Sequence, residues 1–529
     1  MLVMRDEAHF GRVVRCYVER PSNIDAVLRD AAARRPEAPA LSDNGRRVSY
    51  RELDTVVERL AANLADLGIA KGDRVGLLLG NCSEFVEVVF ALARLGAISV
   101  PIGIRQQRPE NEFVLAQSGA KAVIFEAELV DRIPAPEAVP ALVQRIVVGG
   151  SAAGAINYDQ LQKNASPISP LHIGEEDVFA ILYTSGTTGQ PKGAVLTHFG
   201  TIHSCLHYRE CLSLDAERSL LAVPASHVTG LVANILTTAL CGGCTVIMRS
   251  FKARDFLFLA CAERVTHTVM VPAMYNLALL EPAFDGFDLA AWRLGGYGGA
   301  PMPEATIRRL AEKLPALVLS NLYGATETIS PTTIMPPGDG LAHADSVGKT
   351  VPCGEVRIMD DTGREVAPGQ SGEIWIAGPM VVPGYWQNLD ADRENFVGGY
   401  WKSGDIGSKG EDGYVRVFDR KKDMINRGGY KIYSVEVENL LIQHPAILEC
   451  AVIGRPDPVL GEKSHAFVVS SAPGLSDQEL RDYCATRLAD YKIPDGITIF
   501  AEPLPRNANG KVIKTALRAR LLESVPEAR

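Results

Sequence analysis

A short segment rich in glycine and hydroxyl residues, YTSGTTGQPKG at residues 183–193, could hold a phosphate group. Glycine lets backbone N–H groups approach an anion closely, hydroxyls add hydrogen-bond donors, and lysine adds a positive charge. A flexible surface loop is the simpler alternative, but the apolar run before the segment favours a phosphate-binding loop after a strand. Pro191 before the lysine and Gly193 after it depart from the pattern G-x-x-x-x-G-K-[ST], which disfavours a kinase-type nucleotide site. The candidate phosphate ligands are Thr184, Ser185, Gly186, Thr187, Thr188, Gly189 and Lys192.

A second segment, NLYGATET at residues 321–328, places a ring, a hydroxyl and a carboxylate after an apolar strand. Tyr323 could stack on a base, and Glu327 could hold Mg²⁺ against phosphate oxygens. A strand-to-helix turn with a capping threonine is the alternative that needs no ligand. Nearby, GGYGGAP at residues 295–301 lacks the third glycine of a dinucleotide fingerprint. It therefore favours a backbone platform for a flat ring over a Rossmann site.

Two further segments contribute single polar residues. In YWKSGDIG, Asp405 is predicted to lie in a tight turn, and Arg420 follows in FDRKKD. A carboxylate that accepts from vicinal hydroxyls, with a guanidinium beside it, could hold a ribose, although a surface ion pair is the simpler alternative. PRNANGKVIK places Lys511 after an Asn-Gly turn, which alone predicts only a hairpin.

Composition narrows the function classes. The net charge of −9 over 529 residues argues against a nucleic-acid-binding surface, and charges throughout residues 1–20 argue against a secretory signal. The most apolar long stretch, residues 220–240, contains Pro224 and Asn234 and predicts a buried helix, not a membrane span. Ten scattered cysteines favour a reducing cytoplasm. CGGC at 241–244 and HSCLH at 203–207 lack a second ligand pair, so a metal or redox role is disfavoured for both.

The segments between and around these residues alternate between two patterns: short apolar runs typical of strands, and longer stretches with the apolar spacing of a helix. Residues 23–67 predict a helix, a hairpin around DNGRRVSY and a second helix, and the alternation of strand and helix recurs as far as LVLSNLYG. It is typical of parallel sheets covered on both faces, where ligands bind at the strand ends. From about Gly338 the pattern predicts an antiparallel sheet or small barrel. A charged interruption near Lys422 predicts a boundary between an α/β domain, residues 1–421, and a smaller α+β domain, residues 422–529.

Taken together and in order, YTSGTTGQPKG, YGATE, SGDIG, DRKKDMINRGGYKI and PRNANGK resemble the motifs of the AMP-forming acyl- and aryl-CoA synthetases. That family belongs to the adenylating superfamily, with peptide-synthetase adenylation domains and luciferase. The resemblance covers essentially the whole chain. It implies a large N-terminal domain of two doubly wound sheets plus a small distorted β-barrel, and a smaller, mobile α+β C-terminal domain.

The resemblance also implies the reaction and the roles of the residues. A carboxylate attacks the α-phosphate of ATP to give acyl-AMP and pyrophosphate, and the thiol of coenzyme A then displaces AMP. The residues implied to grip the β- and γ-phosphates are Thr184, Ser185, Thr187, Thr188 and Lys192. Those implied to surround AMP and its metal are Gly298, Gly299, Ala300, Pro301, Asn321, Tyr323, Gly324, Thr326, Glu327 (for Mg²⁺), Asp405 and Arg420. Lys511 is implied to bridge the α-phosphate and the acid.

For the second half-reaction the resemblance implies rotation of the C-terminal domain about a hinge at Lys422. Gly428 and Gly429 would then line a CoA tunnel, because bulky side chains would block the thiol. His227 matches an aromatic gate between the acid and this tunnel, and a core histidine is the alternative.

The acyl pocket is predicted to lie near this gate, and it contains no lysine or arginine. Since a dicarboxylate would need a buried cation, a hydrophobic monoacid is favoured, and aromatic and medium-chain fatty acids both remain open. The candidate lining residues are Val228, Thr229, Val269, Met274, Gly298, Leu322, Gly324, Thr328, Ile329 and Ser330. The partners expected are small molecules, and a homodimer is left open.

Four rival functions share these motifs. A peptide-synthetase unit would place an aspartate near the gate, where this chain offers only apolar residues and Asn234. A luciferase-like oxidase would differ only in its product. A stand-alone adenylation enzyme would pass the acyl group to a carrier protein. A non-catalytic adenylate-binding protein would be expected to have lost Lys511 or Glu327, and both are present.

Overall fold

The computed structural model of the protein describes residues 2–163, 168, 171–184, 190–472, 474–506 and 512–523. They form two compact units, which are described separately below. The first unit spans Met1–Arg357, Trp375–Lys402 and Asp412–Val415, and the second spans Ile358–Ile374, Ser403–Glu411 and Arg416–Arg529.

Strands and helices alternate in the first unit, as the sequence predicts. The strands up to residue 350 are β1 Met4–His9, β2 Arg12–Tyr17, β3 Pro39–Asp43, β4 Arg46–Ser49, β5 Arg74–Leu78, β6 Ile98–Pro101, β7 Ala122–Glu126, β8 Gln144–Val148, β9 Ile156–Asn157, β10 Val178–Thr184, β11 Lys192–Thr197, β12 Arg218–Leu221, β13 Cys244–Ile247, β14 His267–Met270, β15 Leu294–Gly298, β16 Val318–Tyr323, β17 Thr333–Ile334 and β18 Gly348–Thr350. The α-helices are α1 Ile24–Arg34, α2 Tyr50–Asp66, α3 Ser83–Leu95, α4 Arg108–Ser118, α5 Tyr158–Leu161, α6 His198–Leu212, α7 Thr237–Leu240, α8 Ala253–Ala262, α9 Pro272–Leu279, α10 Glu304–Lys313 and α11 Leu389–Asn395.

Two sheets organise this unit. One has the strand order β11-β10-β6-β5-β7-β8-β9, parallel except for the antiparallel pair β10 and β11. The other runs β4-β3-β13-β12-β14-β15-β16-β17-β18, and its strands from β3 to β16 are parallel. From β16 onward the pairing is antiparallel, which confirms the change of pattern predicted near Gly338. The parallel order brings the carboxyl ends of β14, β15 and β16 to one edge, where ligands bind in such sheets.

Local sequence signals explain the helix boundaries. Ser49 and Glu52 form a reciprocal capping box at the start of α2, which satisfies backbone donors that the first turn leaves unpaired. Helix α3 is apolar around its circumference and is buried from Ser83 to Leu95 with one intermediate position. It ends at Gly96, whose φ of 66° is left-handed and favours glycine at a helix C-terminus.

The apolar stretch at residues 220–240 is mostly buried, and the helix predicted within it is present, but much of that helix has a rarer form. Residues Thr229–Leu236 form a π-helix that continues into α7. A π-helical segment widens the backbone turn and is frequent at functional sites. Among the residues that the structure describes, no helix combines enough length and hydropathy to cross a membrane.

The last strand that lies wholly in the first unit is β21 Phe396–Val397. The second unit contains all or part of β19 Glu355–Met359, β20 Gly372–Ala377, β22 Tyr400–Lys409, β23 Tyr414–Arg420, β24 Ile425–Arg427, β25 Tyr430–Ile432, β26 Ile447–Asp457, β27 Gly461–Ser470 and β28 Gly496–Phe500. Its helices are α12 Ser434–Leu441, α13 Asp477–Ala485 and α14 Lys514–Glu523. Helices α12 and α13 pack on the sheet β25-β24-β27-β26, with β28 beside β27, so the predicted α+β character of the C-terminal part is confirmed.

Three buried histidines of the first unit predict acid sensitivity. Burial lowers the pKa of His198, His203 and His267 to about 4. In the unfolded chain these imidazoles take up protons near pH 6.5, whereas in the folded protein they do so only near pH 4. Their contribution to the free energy of unfolding is therefore fully present above pH 6.5 and is lost as the pH falls toward 4. At pH 5.5 each histidine should cost about 1 kcal/mol of folding free energy. The melting temperature is expected to fall by several degrees between pH 7.5 and 5.5.

Thermal denaturation at the two pH values tests this expectation. The variant His203→Gln should show a smaller pH effect than the parent protein, because one buried proton acceptor has been removed. His172→Gln, at an exposed position, serves as the control. An unchanged melting temperature between pH 7.5 and 5.5 would contradict the assignment of these histidines as neutral core residues.

Candidate active site

The segment YTSGTTGQPKG begins and ends in a β-hairpin. Thr184 closes β10 and Lys192 opens β11, and the two residues face each other in the antiparallel register. The Thr184 hydroxyl donates to the Lys192 carbonyl oxygen at 3.4 Å. Residues Ser185, Gly186, Thr187, Thr188 and Gly189 lie outside the described residues, so their predicted phosphate contacts stay predictions. The pairing of β10 with β11 nonetheless places the backbone of Lys192 directly opposite Thr184.

The predicted adenine platform lies at the ends of β15 and β16. Gly298 pairs in register with Leu322, and Tyr297 pairs with Asn321. A Cβ atom on Gly298 would overlap the Leu322 carbonyl oxygen, so a close approach of two strands requires glycine at this position. The following residues, Gly299, Ala300 and Pro301, are exposed, and Tyr323 is half-buried at the end of β16. An exposed backbone and a ring therefore end neighbouring strands, as the sequence predicts.

Glu327 lies on a single 3-10 turn, Thr326–Thr328, directly after β16. The turn is closed by the Ala325 N–H, which donates to Thr328 Oγ1 at 2.9 Å. The Glu327 carbonyl oxygen accepts from the Val382 N–H at 2.9 Å, and its carboxylate Oε1 accepts from the Tyr385 hydroxyl at 3.0 Å. The carboxylate is half-buried. Hydrogen bonds therefore hold both the backbone and the side chain of Glu327.

Tyr385 also contacts the phosphate hairpin. The Nζ atom of Lys192 lies 5.3 Å from the centroid of its ring, within the range of a cation–π interaction. The two charged residues that the sequence assigns to phosphate and metal therefore meet on one tyrosine. Sequence reasoning did not identify Tyr385, because it lies in GYWQN after an apolar run and no local pattern marks it.

The turn after Glu327 has an unusual backbone. Ile329 and Ser330 have φ angles of 47° and 24°, a region that non-glycine residues occupy rarely and at some cost in energy. Helix α6 packs against this turn: a Cβ on Gly200 would lie 2.7 Å from Ile329 Cδ1, and the Tyr208 and Ser330 hydroxyls are 2.9 Å apart. Thr328 and Ile329 are fully buried. The predicted pocket residues are therefore tied to a helix that the sequence did not implicate.

The predicted gate precedes the π-helix. His227, Val228 and Thr229 are half-buried, and the His227 carbonyl oxygen accepts from the Leu231 N–H at 2.8 Å. Asn234, the polar residue of this segment, donates to the Thr229 carbonyl oxygen at 3.1 Å. The amide nitrogen of Asn234 is therefore engaged within the helix, and its amide oxygen accepts from Ser219 Oγ of β12 at 3.3 Å.

The remaining pocket candidates occupy neighbouring strands and a helix. Val269 lies buried in β14, and Leu322 lies buried in β16. Met274 on α9 packs against the core cluster that includes Met270 and Tyr275. For these three residues an apolar core role accounts for the observed contacts, and a contact with the acyl chain stays a prediction.

The second unit brings together the two residues of the predicted ribose clamp. Arg420 Nε lies 2.8 Å from Asp405 Oδ1, and the Asp405 N–H donates to Ser403 Oγ at 3.0 Å. The predicted position of Asp405 in a tight turn is wrong, because it lies within β22. Gly404 before it has a left-handed φ of 69° within the strand, which is continuous from Tyr400 to Lys409. Asp405 is buried, whereas Arg420 is exposed.

Gly428 and Gly429 form the two-residue turn between β24 and β25. Their φ angles are 58° and 90°, the pair of positive values that a type I′ hairpin turn requires. The Gly428 N–H donates to the Leu460 carbonyl oxygen at 2.7 Å, and nothing lies within 4 Å of a Cβ placed on Gly429. Both glycines and the predicted hinge residue Lys422 are exposed. Lys511 lies outside the described residues.

The cysteines of CGGC are buried core residues. Burial raises the pKa of Cys241 to about 12 and that of Cys244 to about 11. Metal binding and disulfide exchange need the thiolate, so this environment disfavours both for this pair.

Family models match most of the chain. The model described as AMP-binding enzyme matches residues 28–386, and the model for the C-terminal domain of AMP-binding enzymes matches residues 436–511. The chain is an AMP-binding enzyme. The resemblance drawn from the motifs is thereby confirmed, as is the fold class of a large α/β part with a smaller α+β part.

Relatives of this AMP-binding enzyme span its full length. It is 36% identical to the long-chain-fatty-acid–CoA ligase FadD13 of Mycobacterium tuberculosis, over 96% of this chain and 100% of the relative. It is 35% identical to a feruloyl-CoA synthase of Amycolatopsis sp, over 92% and 96% of the two chains. A crystal structure of the anthranilate CoA ligase AuaEII with anthranoyl-AMP superposes with a TM-score of 0.88 at 28% identity, covering 96% and 99% of the chains.

Proposed function

We propose that this AMP-binding enzyme is an AMP-forming acid–CoA ligase that activates a hydrophobic monocarboxylic acid. The observation that carries the proposal is the meeting of Lys192 and Glu327 on Tyr385, beside the ends of β15 and β16. A polyphosphate needs a cation for its oxygens and a carboxylate for its metal, and both are present there. The names of the relatives, which specify CoA and hydrophobic monoacids, support the proposal.

In the first half-reaction the acid carboxylate attacks the α-phosphorus of ATP, the bond to the β-phosphate breaks, and pyrophosphate leaves. Lys192 and the hydroxyls of the hairpin, including Thr184, would bind the β- and γ-phosphates. Thr326 would contact the α-phosphate. Lys511 would bridge the two anions that must approach each other, since their repulsion opposes the reaction.

The chemistry of Glu327 fits a magnesium ion. Its carboxylate is half-buried and directly follows β16, at the strand ends where ligands bind in parallel sheets. Oxygen ligands from one or two carboxylates together with phosphates are typical of Mg²⁺. When bound, the ion would neutralise charge on the phosphate oxygens.

Adenine would lie between Tyr323 and the exposed backbone of residues 298–301, near Asn321 and Gly324. Asp405 and Arg420 would hold the ribose, since a buried carboxylate next to a guanidinium can accept from two vicinal hydroxyls. Residues 1–421 and 422–529 would act as separate domains, with Lys422 as their hinge.

In the second half-reaction the thiol of coenzyme A loses its proton and its sulfur bonds to the acyl carbon. The bond between that carbon and the phosphate oxygen breaks, and AMP leaves. The smaller domain would turn about Lys422, and the Gly428–Gly429 hairpin tip would line the CoA tunnel. His227 would gate the passage between this tunnel and the acyl pocket.

The acyl pocket would be formed near Ser330, Thr229 and the end of β15. Because the pocket candidates contain no lysine or arginine, a second carboxylate would be buried without a cation. A fatty acid and an aromatic acid both satisfy this condition.

Pyrophosphate release tests the function directly. The purified enzyme is incubated with MgATP and a panel of benzoates, cinnamates and C4–C16 fatty acids, with and without CoA, and the nucleotide product is identified. Acid-dependent release of pyrophosphate with AMP, and thioester only when CoA is present, is expected. Formation of ADP, or release that no acid of the panel stimulates, would overturn the proposal.

Gly429→Leu is expected to accumulate acyl-AMP and to slow thioester formation at least about tenfold, because a bulky side chain would obstruct the thiol. No neighbouring atom among the described residues obstructs a Cβ there, but the positive φ of Gly429 makes any side chain at that position cost backbone strain, so the control must carry the same strain. Rapid-quench measurement of acyl-AMP and thioester separates the two half-reactions.

Gly363→Leu provides the matched control. Gly363 has a φ of 78°, lies exposed in the same unit and also leaves space for a Cβ. Its replacement introduces the same backbone strain without approaching the predicted tunnel. Equal slowing of both half-reactions in Gly429→Leu would contradict the tunnel assignment.

Two further properties stay predictions. The ten cysteines are all free of disulfide bonds, which supports a reducing, cytoplasmic location. A homodimer is tested by light scattering of the purified protein.

A further inference from the structure

Tyr385 occupies a position that the backbone fixes on several sides. Residues 384–386 run along β11: the Trp386 N–H donates to the Gly193 carbonyl oxygen at 2.7 Å, and the Val195 N–H donates to the Gly384 carbonyl oxygen at 3.1 Å. The Tyr385 N–H itself donates to Asp392 Oδ1 at 2.7 Å. The segment therefore extends the phosphate hairpin as an additional edge.

The side chain of Tyr385 points from that edge to Glu327. Only 5% of the residue is exposed, and its hydroxyl donates to Glu327 Oε1 at 3.0 Å. The hydroxyl is therefore placed to hold the Glu327 carboxylate in one orientation.

The ring of the same residue faces Lys192 Nζ at 5.3 Å, and Phe396 packs against it edge-on with centroids 5.7 Å apart. The ring is consequently held in one orientation by an apolar neighbour. A cation over an aromatic face within about 6 Å is attracted by the ring quadrupole. One residue thus contacts both charged side chains.

Both charged residues need such support. Glu327 lies on a single 3-10 turn, which restrains its side chain less than a longer helix would. Lys192 carries its charge at the end of a flexible four-carbon stem, and a charged neighbour, Glu394 Oε2, lies 3.9 Å from its Nζ and is exposed. Positioning of these groups to within a fraction of an ångström determines how well a metal or phosphate is held.

We infer that Tyr385 is a positioning residue: its hydroxyl orients the Glu327 carboxylate toward the metal, and its ring holds Lys192 beside the same phosphate chain. This inference rests on the proposed function. It adds Tyr385 to the residues of the ATP site, and it ties the affinity for the metal to a hydroxyl that contacts the Glu327 carboxylate.

The variant Tyr385→Phe separates the two contacts, because it keeps the ring beside Lys192 and removes only the hydroxyl. In the presence of ATP and without any acid, Mn²⁺ binding is followed by electron paramagnetic resonance. The half-saturating Mn²⁺ concentration is expected to rise about tenfold, as for loss of a hydrogen bond to a charged group. The Mg²⁺ concentration that half-saturates ATP–pyrophosphate exchange should rise by the same factor, with the KM for the acid unchanged.

Tyr158→Phe is the matched control. The Tyr158 hydroxyl donates to Glu87 Oε2 at 2.6 Å, and both residues are buried. This pair has the same chemistry as Tyr385 and Glu327, but Tyr158 follows β9, at the edge of the seven-stranded sheet opposite to β11. Its replacement should lower the melting temperature and leave the Mn²⁺ titration unchanged.

A second variant, Tyr385→Leu, removes the ring as well and should raise the KM for ATP further. The inference is overturned if Tyr385→Phe binds Mn²⁺ as the parent enzyme does, or if Tyr158→Phe shifts the titration equally. If the parent enzyme binds MnATP more tightly than Tyr385→Phe but shows no acid-dependent exchange, the positioning role stands and the proposed ligase function fails.

Discussion

Lys511→Ala is expected to lower the rate of acyl-AMP formation by at least about 100-fold, because removal of one electrostatic contact to a reacting centre has effects of that size. Thioester formation from acyl-AMP supplied in the assay should be nearly unchanged. The reason is that the lysine is required only while two anions, the carboxylate and the α-phosphate, approach each other. ATP–pyrophosphate exchange measures the first half-reaction, and release of AMP from added acyl-AMP and CoA measures the second.

Lys514→Ala is the control for this prediction. Lys514 lies close in sequence, but its Nζ donates to Ser434 Oγ at 2.7 Å and lies 2.7 Å from Glu438 Oε1, so it stabilises the packing of α14 against α12. Its loss should lower the melting temperature and should not change the ratio of the two half-reactions. If exchange survives in Lys511→Ala, or if both half-reactions fall together, the role assigned to Lys511 is wrong.

The fold could be predicted because its signals are local. The alternation of buried strands with helices of 3.6-residue period is visible in single windows, such as α2 followed by β5. The change to antiparallel strands is also local, because glycine-rich turns and two-residue alternation mark it. The error at Asp405 also comes from reading a local signal. Gly404 adopts a positive φ inside β22, and sequence alone does not distinguish a turn from a strand that contains such a glycine.

The site could be predicted only where its residues lie in motifs. Thr184, Lys192 and Glu327 were found because glycine, hydroxyl and charged residues cluster around them. Tyr385 was not found, because its significance comes from contacts with residues far away in the chain. The positive φ of Ile329 was not predicted for the same reason. A β-branched residue rarely adopts such a φ, and the contact that accompanies it here is with Gly200, which is distant in the chain. The π-helical turn of Thr229–Leu236 has nearly the same apolar pattern as an α-helix and leaves no clear trace in composition.

Glu327→Gln is the second change with a large expected effect. The amide keeps the size of the side chain, and its carbonyl oxygen can still accept from the Tyr385 hydroxyl, but it has lost the negative charge that attracts a metal ion. The rate of acyl-AMP formation should fall about 100- to 1,000-fold, with a higher half-saturating Mg²⁺ concentration. Thioester formation from supplied acyl-AMP should be spared, since pyrophosphate has already left.

Glu87→Gln tests whether the loss follows merely from changing a buried carboxylate. Glu87 also accepts from a tyrosine hydroxyl, and burial raises its pKa. Replacement by a neutral amide should therefore change both stability and activity little. A loss of exchange in Glu87→Gln comparable with that in Glu327→Gln, or an unchanged Mg²⁺ dependence in Glu327→Gln, would contradict a metal-binding role for Glu327.

The double variant Glu327→Gln with Tyr385→Phe decides how the two residues act together. If the Tyr385 hydroxyl works only by orienting the charged carboxylate, its removal can do no further harm once that charge is gone. The double variant should then be as slow in ATP–pyrophosphate exchange as Glu327→Gln alone. The coupling energy between the two residues would in that case equal the whole effect of Tyr385→Phe. Multiplication of the two single effects would instead mean that the hydroxyl acts independently of Glu327. In that case the hydrogen bond between Tyr385 and Glu327 would contribute to the packing beside β11 without orienting the carboxylate for catalysis.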